Sequence, residues 1–146
     1  MKRTSLIAVL AFAGAAQAGD IAADGPRALE AALARAAPDD RILLAPGQYG
    51  DLVIGPRRTK GALTVAAANA AAPPVFRSIF LRDGAGVTLR DLAVMHGAAS
   101  NPLSARAVEI RRSSSIRLEG LRVASSVNGI SGDDANGLII RDSRRV

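Results

Sequence analysis

The stretch from Val87 to Val94, V-T-L-R-D-L-A-V, returns at Ile116 to Val123 as I-R-L-E-G-L-R-V, and starts again at Leu138 as L-I-I-R-D. Ile79, Val108 and Ile130 each stand the same distance ahead of Val87, Ile116 and Leu138, so two apolar anchors recur in every copy. Polar corners separate the anchors: Asp83-Gly84-Ala85-Gly86, Arg112-Ser113-Ser114-Ser115 and Asp133-Asp134-Ala135-Asn136-Gly137. One such unit cannot bury its apolar face alone. A period of twenty-odd residues with strand alternation and Gly/Ser/Asn corners therefore predicts an all-β solenoid in which copies stack on one another.

Aligned copies sort side chains by face. Ile79, Leu81, Val87, Leu89, Leu92 and Val94 point inward above Val108, Ile110, Ile116, Leu118, Leu121 and Val123, then Ile130, Leu138 and Ile140. Each is worth roughly 1.5–3 kcal/mol when fully buried, which suits a narrow parallel-strand core. The outward set is polar. In this alignment one column reads Arg90, Glu119, Arg141, alternating in sign, and another reads Arg82, Arg111, Asp133. Opposite charges on neighbouring strands help by some tenths of a kcal/mol. An antiparallel sandwich is the alternative fold, but the same-sense copies stack naturally in parallel.

Met1 to Ala18 reads as a secretory leader, residues 1–18: Lys2 and Arg3 give the positive start, Leu6 to Ala13 the apolar run and Ala16-Gln17-Ala18 the cleavage site. The run falls short of the roughly 20 residues a bilayer requires, so no membrane span is expected after leader removal. The chain has no cysteine, which excludes a disulfide framework and a lipidated cysteine after the cleavage site. Loss of Lys2 and Arg3 lowers the net charge by two, from +6 to +4. The cations are nearly all arginines mixed with acids, and the aromatics are only Phe12, Tyr49, Phe76 and Phe80. No stacking platform for nucleic acid is present, so nucleic acid is not an expected partner. An acidic polysaccharide or an anionic envelope surface is compatible with the charge.

Residues 19–40 form an N-terminal segment with one helix. Asp24 is a capping candidate, Pro26 opens the first turn, and Leu29, Ala32, Leu33 and Ala36 share a face before Pro38 ends the helix. Such a helix caps the exposed first turn of a solenoid, whose body spans residues 41–146. After it come Arg41-Ile42-Leu43-Leu44-Ala45, the turn Pro46-Gly47-Gln48-Tyr49-Gly50, then Asp51 to Ile54, Gly61 to Ala67 and Pro74-Val75-Phe76. From about Asp24 onward this pattern resembles bacterial right-handed parallel β-helix proteins of the pectin-lyase-like superfamily. The start is similar in particular to the alginate lyase and chondroitinase B group. The resemblance implies a right-handed single-stranded parallel β-helix with an N-terminal capping helix, secreted or periplasmic. It also implies the N-terminal part of a uronic-acid polysaccharide lyase, or else a non-catalytic module that binds glycan or protein.

Lyases of this superfamily, as the resemblance implies, remove the proton α to a uronate carboxylate with a Lys or Arg base, while Ca²⁺ or Arg neutralises the acid. Lys60, the one lysine beyond the leader, lies ahead of the usual site and receives no role. The connector from Met95 to Ala107 is longer than that from Ala124 to Gly129 and holds His96, the one histidine. Extended turns carry solenoid sites, so His96 is a weak catalytic candidate, a surface position being its default. Asp133 and Asp134, after Gly132, resemble the paired-carboxylate segment of β-helical pectin hydrolases and are weak candidates for acid-base work or Ca²⁺. The Asn-Thr-Asp, Gly-His-Gly and Arg-x-Lys companions of that segment are missing. The repeat is still running at Val146, so further β-helix turns or a capping partner are expected beyond it. The chain alone is expected to be inactive and prone to self-association.

Overall fold

The computed structural model describes residues 18–56, 61–96, 107–125, 138–144 and 146. The elements in chain order are β1 (Asp20–Ala23), α1 (Pro26–Arg35), β2 (Arg41–Leu44), β3 (Gln48–Ile54), β4 (Leu63–Ala67) and β5 (Val75–Arg82). They continue with β6 (Val87–Arg90), β7 (Ala93–His96), β8 (Val108–Arg111), β9 (Arg117–Glu119), β10 (Arg122–Ser125) and β11 (Leu138–Arg141). No helix among the described residues is long and apolar enough to cross a membrane.

Every strand pairing is parallel, which excludes the antiparallel sandwich. One sheet runs β1-β2-β4-β6-β9 and the other β10-β7-β5-β8-β11, with β3 also on β5. The long strand β5 serves two lines: Val75 and Phe76 pair with β7, while Ile79 to Arg82 pair with β8. Alternation places Ile42, Leu44, Val65, Leu89, Ile79, Leu81, Val108 and Ile110 in one contiguous core, all buried. Like stacks on like, because Ile42 pairs with Val65, Val65 with Leu89, and Leu89 with Leu118.

The corners repeat at the level of the backbone. Asp83, Arg112 and Asp142 all have φ near +50°, as do Ser115 beside Gly86 and Asp91 beside Gly120 at slightly larger angles. A left-handed residue after β5, β6, β8, β9 and β11 turns the chain to the next face, and Gly and Asp tolerate it best. At Gly120 the turn is also tight, since a Cβ would lie 2.3 Å from Asp91 Oδ1. The corners bond to one another: the Gly84 N–H donates to Ser113 Oγ at 3.2 Å, and the Ser113 N–H to Ser143 Oγ at 3.2 Å.

Those corner bonds correct the third copy. Leu138 pairs with Val108 and Arg141 with Arg111, so Leu138 continues the line of Ile79, not that of Val87 and Ile116. The column read as Arg82, Arg111, Asp133 is therefore Arg82, Arg111, Arg141. The column Arg90, Glu119, Arg141 keeps its first two members, which pair in register with Arg90 Nε 2.7 Å from Glu119 Oε2. Val123, expected inward, is 43% exposed: among the described residues β10 pairs only with β7, whereas Val94 on β7 has a strand on either side. Leu118 and Leu121 are partly buried, while the side chains of Ile130, Leu138 and Ile140 lie outside the described residues.

At the N-terminal end, α1 packs on β1, β2 and β3 through buried Leu29 and Ala32. Gly25, not Asp24, is its N-cap and no side chain caps it; Pro26 takes the first turn, where its missing N–H costs nothing. The helix stops at Arg35, ahead of Ala37, whose backbone the following proline biases away from helical angles. Strand β1, ahead of the helix, has no counterpart in the sequence reading. It extends the first sheet, with the Asp20 carboxylate 3.0 Å from Arg41 Nε. Tyr49 is sealed beneath, its hydroxyl 2.9 Å from the carbonyls of Ala23 and Ala45 and its ring tilted against Phe76 at 5.4 Å.

Candidate functional site

Where β5, β8 and β11 stack, one column of the repeat places arginine beside arginine in register. Arg82, Arg111 and Arg141 are partners in backbone register on successive strands. Parallel strands lie about 4.8 Å apart, so two like charges held at that spacing repel by up to about 0.9 kcal/mol in water. Arg111 is partly offset: its Nε donates to Glu109 Oε1 at 2.9 Å, and Glu109 is only 6% exposed. Arg82 has no ion pair among the described residues. One position along, the rule reverses. Arg112 donates from Nε and Nη2 to both oxygens of Asp83 at 2.7 and 2.9 Å. Those bonds hold the Asp83 carboxyl below its usual range, and Asp142, on the next strand's corner, adds negative charge beside Arg112.

A second polar group lies where β3 meets the bend in β5. Asp51 pairs in register with Ser78. Its Oδ1 accepts Arg77 Nε–H at 2.9 Å and the Ser78 hydroxyl at 2.5 Å, and its Oδ2 is in short contact with Arg77 Nη2. The Arg77 hydrogen bonds are the main reason its carboxyl titrates low; the Ser78 bond and the nearby charge of His96 act in the same direction, against burial. His96 Nδ1 is 3.3 Å from the Arg77 carbonyl. The histidine expected on the surface of a connector instead ends β7 and is 2% exposed. Burial follows from alternation, since Val94 and His96 point the same way from β7.

The chemistry open to these groups is limited by their partners. Asp51, Asp83 and Glu119 each sit on an arginine of a neighbouring turn and brace one turn against the next, while Glu109 holds Arg111 on its own strand. The structure brings His96 near Asp51, a relation with no signal in the sequence spacing. Asp133 and Asp134, the candidates for acid-base work or Ca²⁺, lie outside the described residues. Among the described residues no three of His, Cys, Asp or Glu converge as metal ligands, so no step through Ca²⁺ is derived. Tyr49, Phe76 and Phe80 are buried, which leaves no aromatic face for a sugar among the described residues. Among the described residues the arginine column offers charge for recognition. No family model, curated protein or solved structure matches this chain.

Proposed function

We propose that the chain is an exported right-handed parallel β-helix of the pectin-lyase-like kind, and that it contributes an acidic-polysaccharide seat to a uronate-polymer-active protein. The unbroken parallel line of partners Asp20, Arg41, Thr64, Thr88 and Arg117, each one turn further along the chain, supports the architecture. The row Arg82, Arg111 and Arg141 carries the functional reading. A fold gains nothing from stacking like charges, whereas a polymer with one carboxylate per sugar relieves them, each guanidinium offering a planar fork to a carboxylate. The commitment of Asp51, Asp83, Glu109 and Glu119 to arginines favours the module reading, in which this chain binds and does not turn over.

Titration of the processed chain with alginate or polygalacturonate, beside neutral dextran of the same length, tests the proposal. The account expects binding to the acidic polymers alone, weakening as salt rises, and no release of unsaturated uronide with or without Ca²⁺. Equal affinity for dextran would overturn the seat. Lyase activity lost on changing His96 would restore a catalytic reading.

A further inference from the structure

We propose that removal of the leader after Ala18 creates a structural ion pair, in which the new α-ammonium of Gly19 sits on the buried carboxylate of Asp40 and tightens β1 onto the fold. The proposal rests on the export reading above. Asp40 is 7% exposed. Its Oδ1 accepts the Gly19 N–H at 2.8 Å, and its Oδ2 accepts the Ala37 N–H at 2.8 Å, just after α1. The Gly19 carbonyl in turn accepts the Arg41 N–H at 2.9 Å, the first bond of the β1–β2 ladder. One carboxylate thus ties together the start of β1, the end of α1 and the start of β2.

The atom held against Asp40 is the nitrogen that the Ala16-Gln17-Ala18 site would release. Hydrolysis of the Ala18–Gly19 amide by the export peptidase consumes one water, leaves a carboxylate on Ala18 and frees the Gly19 amine. An α-amine has an ordinary pKa of about 7.7–8.0, and a neighbouring carboxylate favours its charged form, so it takes a proton at neutral pH. A neutral amide donor becomes an ammonium in the same place. Such charge-assisted bonds are shorter and roughly twice as strong as neutral ones, and burial shields this one from screening water. Cleavage one residue earlier or later would move the charge away from Asp40.

The test compares processed chain beginning at Gly19 with chain extended by Gln17-Ala18, each with Asp40 intact or with Asp40→Asn. The extension should lower the melting temperature by about 3 to 6 °C with Asp40 present and by about 1 °C or less with Asp40→Asn. Acylation of the native Gly19 amine at neutral pH should be about tenfold slower than in the same chain unfolded. Lys60 carries the one other amine, so the products separate by mass. This second measurement needs no variant and stands even where Asp40→Asn fails to fold. Equal melting of authentic and extended chains, or a native amine as reactive as the unfolded one, overturns the pairing and leaves export untouched. Exported protein beginning elsewhere than Gly19 overturns the proposal through its cleavage site, whatever the melts show.

Discussion

Two outward rows on the same repeat obey opposite rules. On β6 and β9, Arg90 faces Glu119, so the stack offsets its own charge. On β5, β8 and β11, Arg82, Arg111 and Arg141 pair in register and the stack places like beside like. Both rows stand on parallel strands about 4.8 Å apart, so the difference lies in what the fold requires of them. The first row is complete within the chain. In the second, Glu109 holds Arg111 and offsets one of the like charges.

The largest effect that separates the rows is expected at Arg111. Arg111→Met strands the buried Glu109 carboxylate and should cost about 1–3 kcal/mol in a denaturant titration, while Arg82→Met should change stability by only tenths. Equal losses for the two would remove Glu109 from the account. Next in size is binding: Arg82→Glu should weaken alginate affinity about tenfold, or 1.4 kcal/mol, and Arg90→Glu about twofold or less, read by calorimetry. Smaller again is the balanced row itself. Glu119→Arg should destabilise more than Glu119→Gln by about 0.5 kcal/mol, and added salt should shrink the gap. Identical melting of those two variants at low salt would break the pairing of Arg90 with Glu119.

The smallest effect is on the acid side. The Asp83 and Asp51 carboxyls titrate below their ordinary value of 3.8 in the folded chain. Their contribution is present above the unfolded value and is lost as pH falls through the lower folded one. Asp83→Asn, which keeps a residue at ease with a φ of 53°, should therefore be slightly less stable than the parent at pH 7 and pH 5. The gap should close below about pH 3.8. A gap that persists at pH 2 would assign it to packing.

Much of the architecture was legible because two copies, Ile79 to Val94 and Val108 to Val123, repeat without a gap. Alternation then gave the buried face from Ile79 through Ile116, and the Arg90–Glu119 pair came with it. The third copy misled because each unit contains two similar strands: I-F-L-R-D from Ile79 and V-T-L-R-D from Val87 both match L-I-I-R-D. The discriminating residue was Ser143. In the Val87 line the residue after Asp91 is Leu92, whereas a serine belongs to the corner that holds Ser113. The site suffered from the same ambiguity, since the arginine row exists only in the correct register. Strand β1 was illegible for another reason: Asp20 to Ala23 is too short and too polar to declare itself until Arg41 to Leu44 pairs with it. His96 and Asp51 belong to strands far apart in sequence, and only their shared neighbour β5 brings them together.

The register of the third copy is the claim on which the arginine row stands, and a cross-link tests it most directly. The chain has no cysteine of its own, and paired residues on adjacent parallel strands lie about 4.8 Å apart, within the range a disulfide spans. Glu109→Cys combined with Ile139→Cys places both thiols on one rung of β8 and β11. Arg117→Cys combined with Ile139→Cys would share a rung only if Leu138 continued the line of Ile116. On mild oxidation of dilute protein the account predicts an intramolecular disulfide in the first variant and free thiols in the second. The reverse outcome would dissolve the row of arginines and contradict the account.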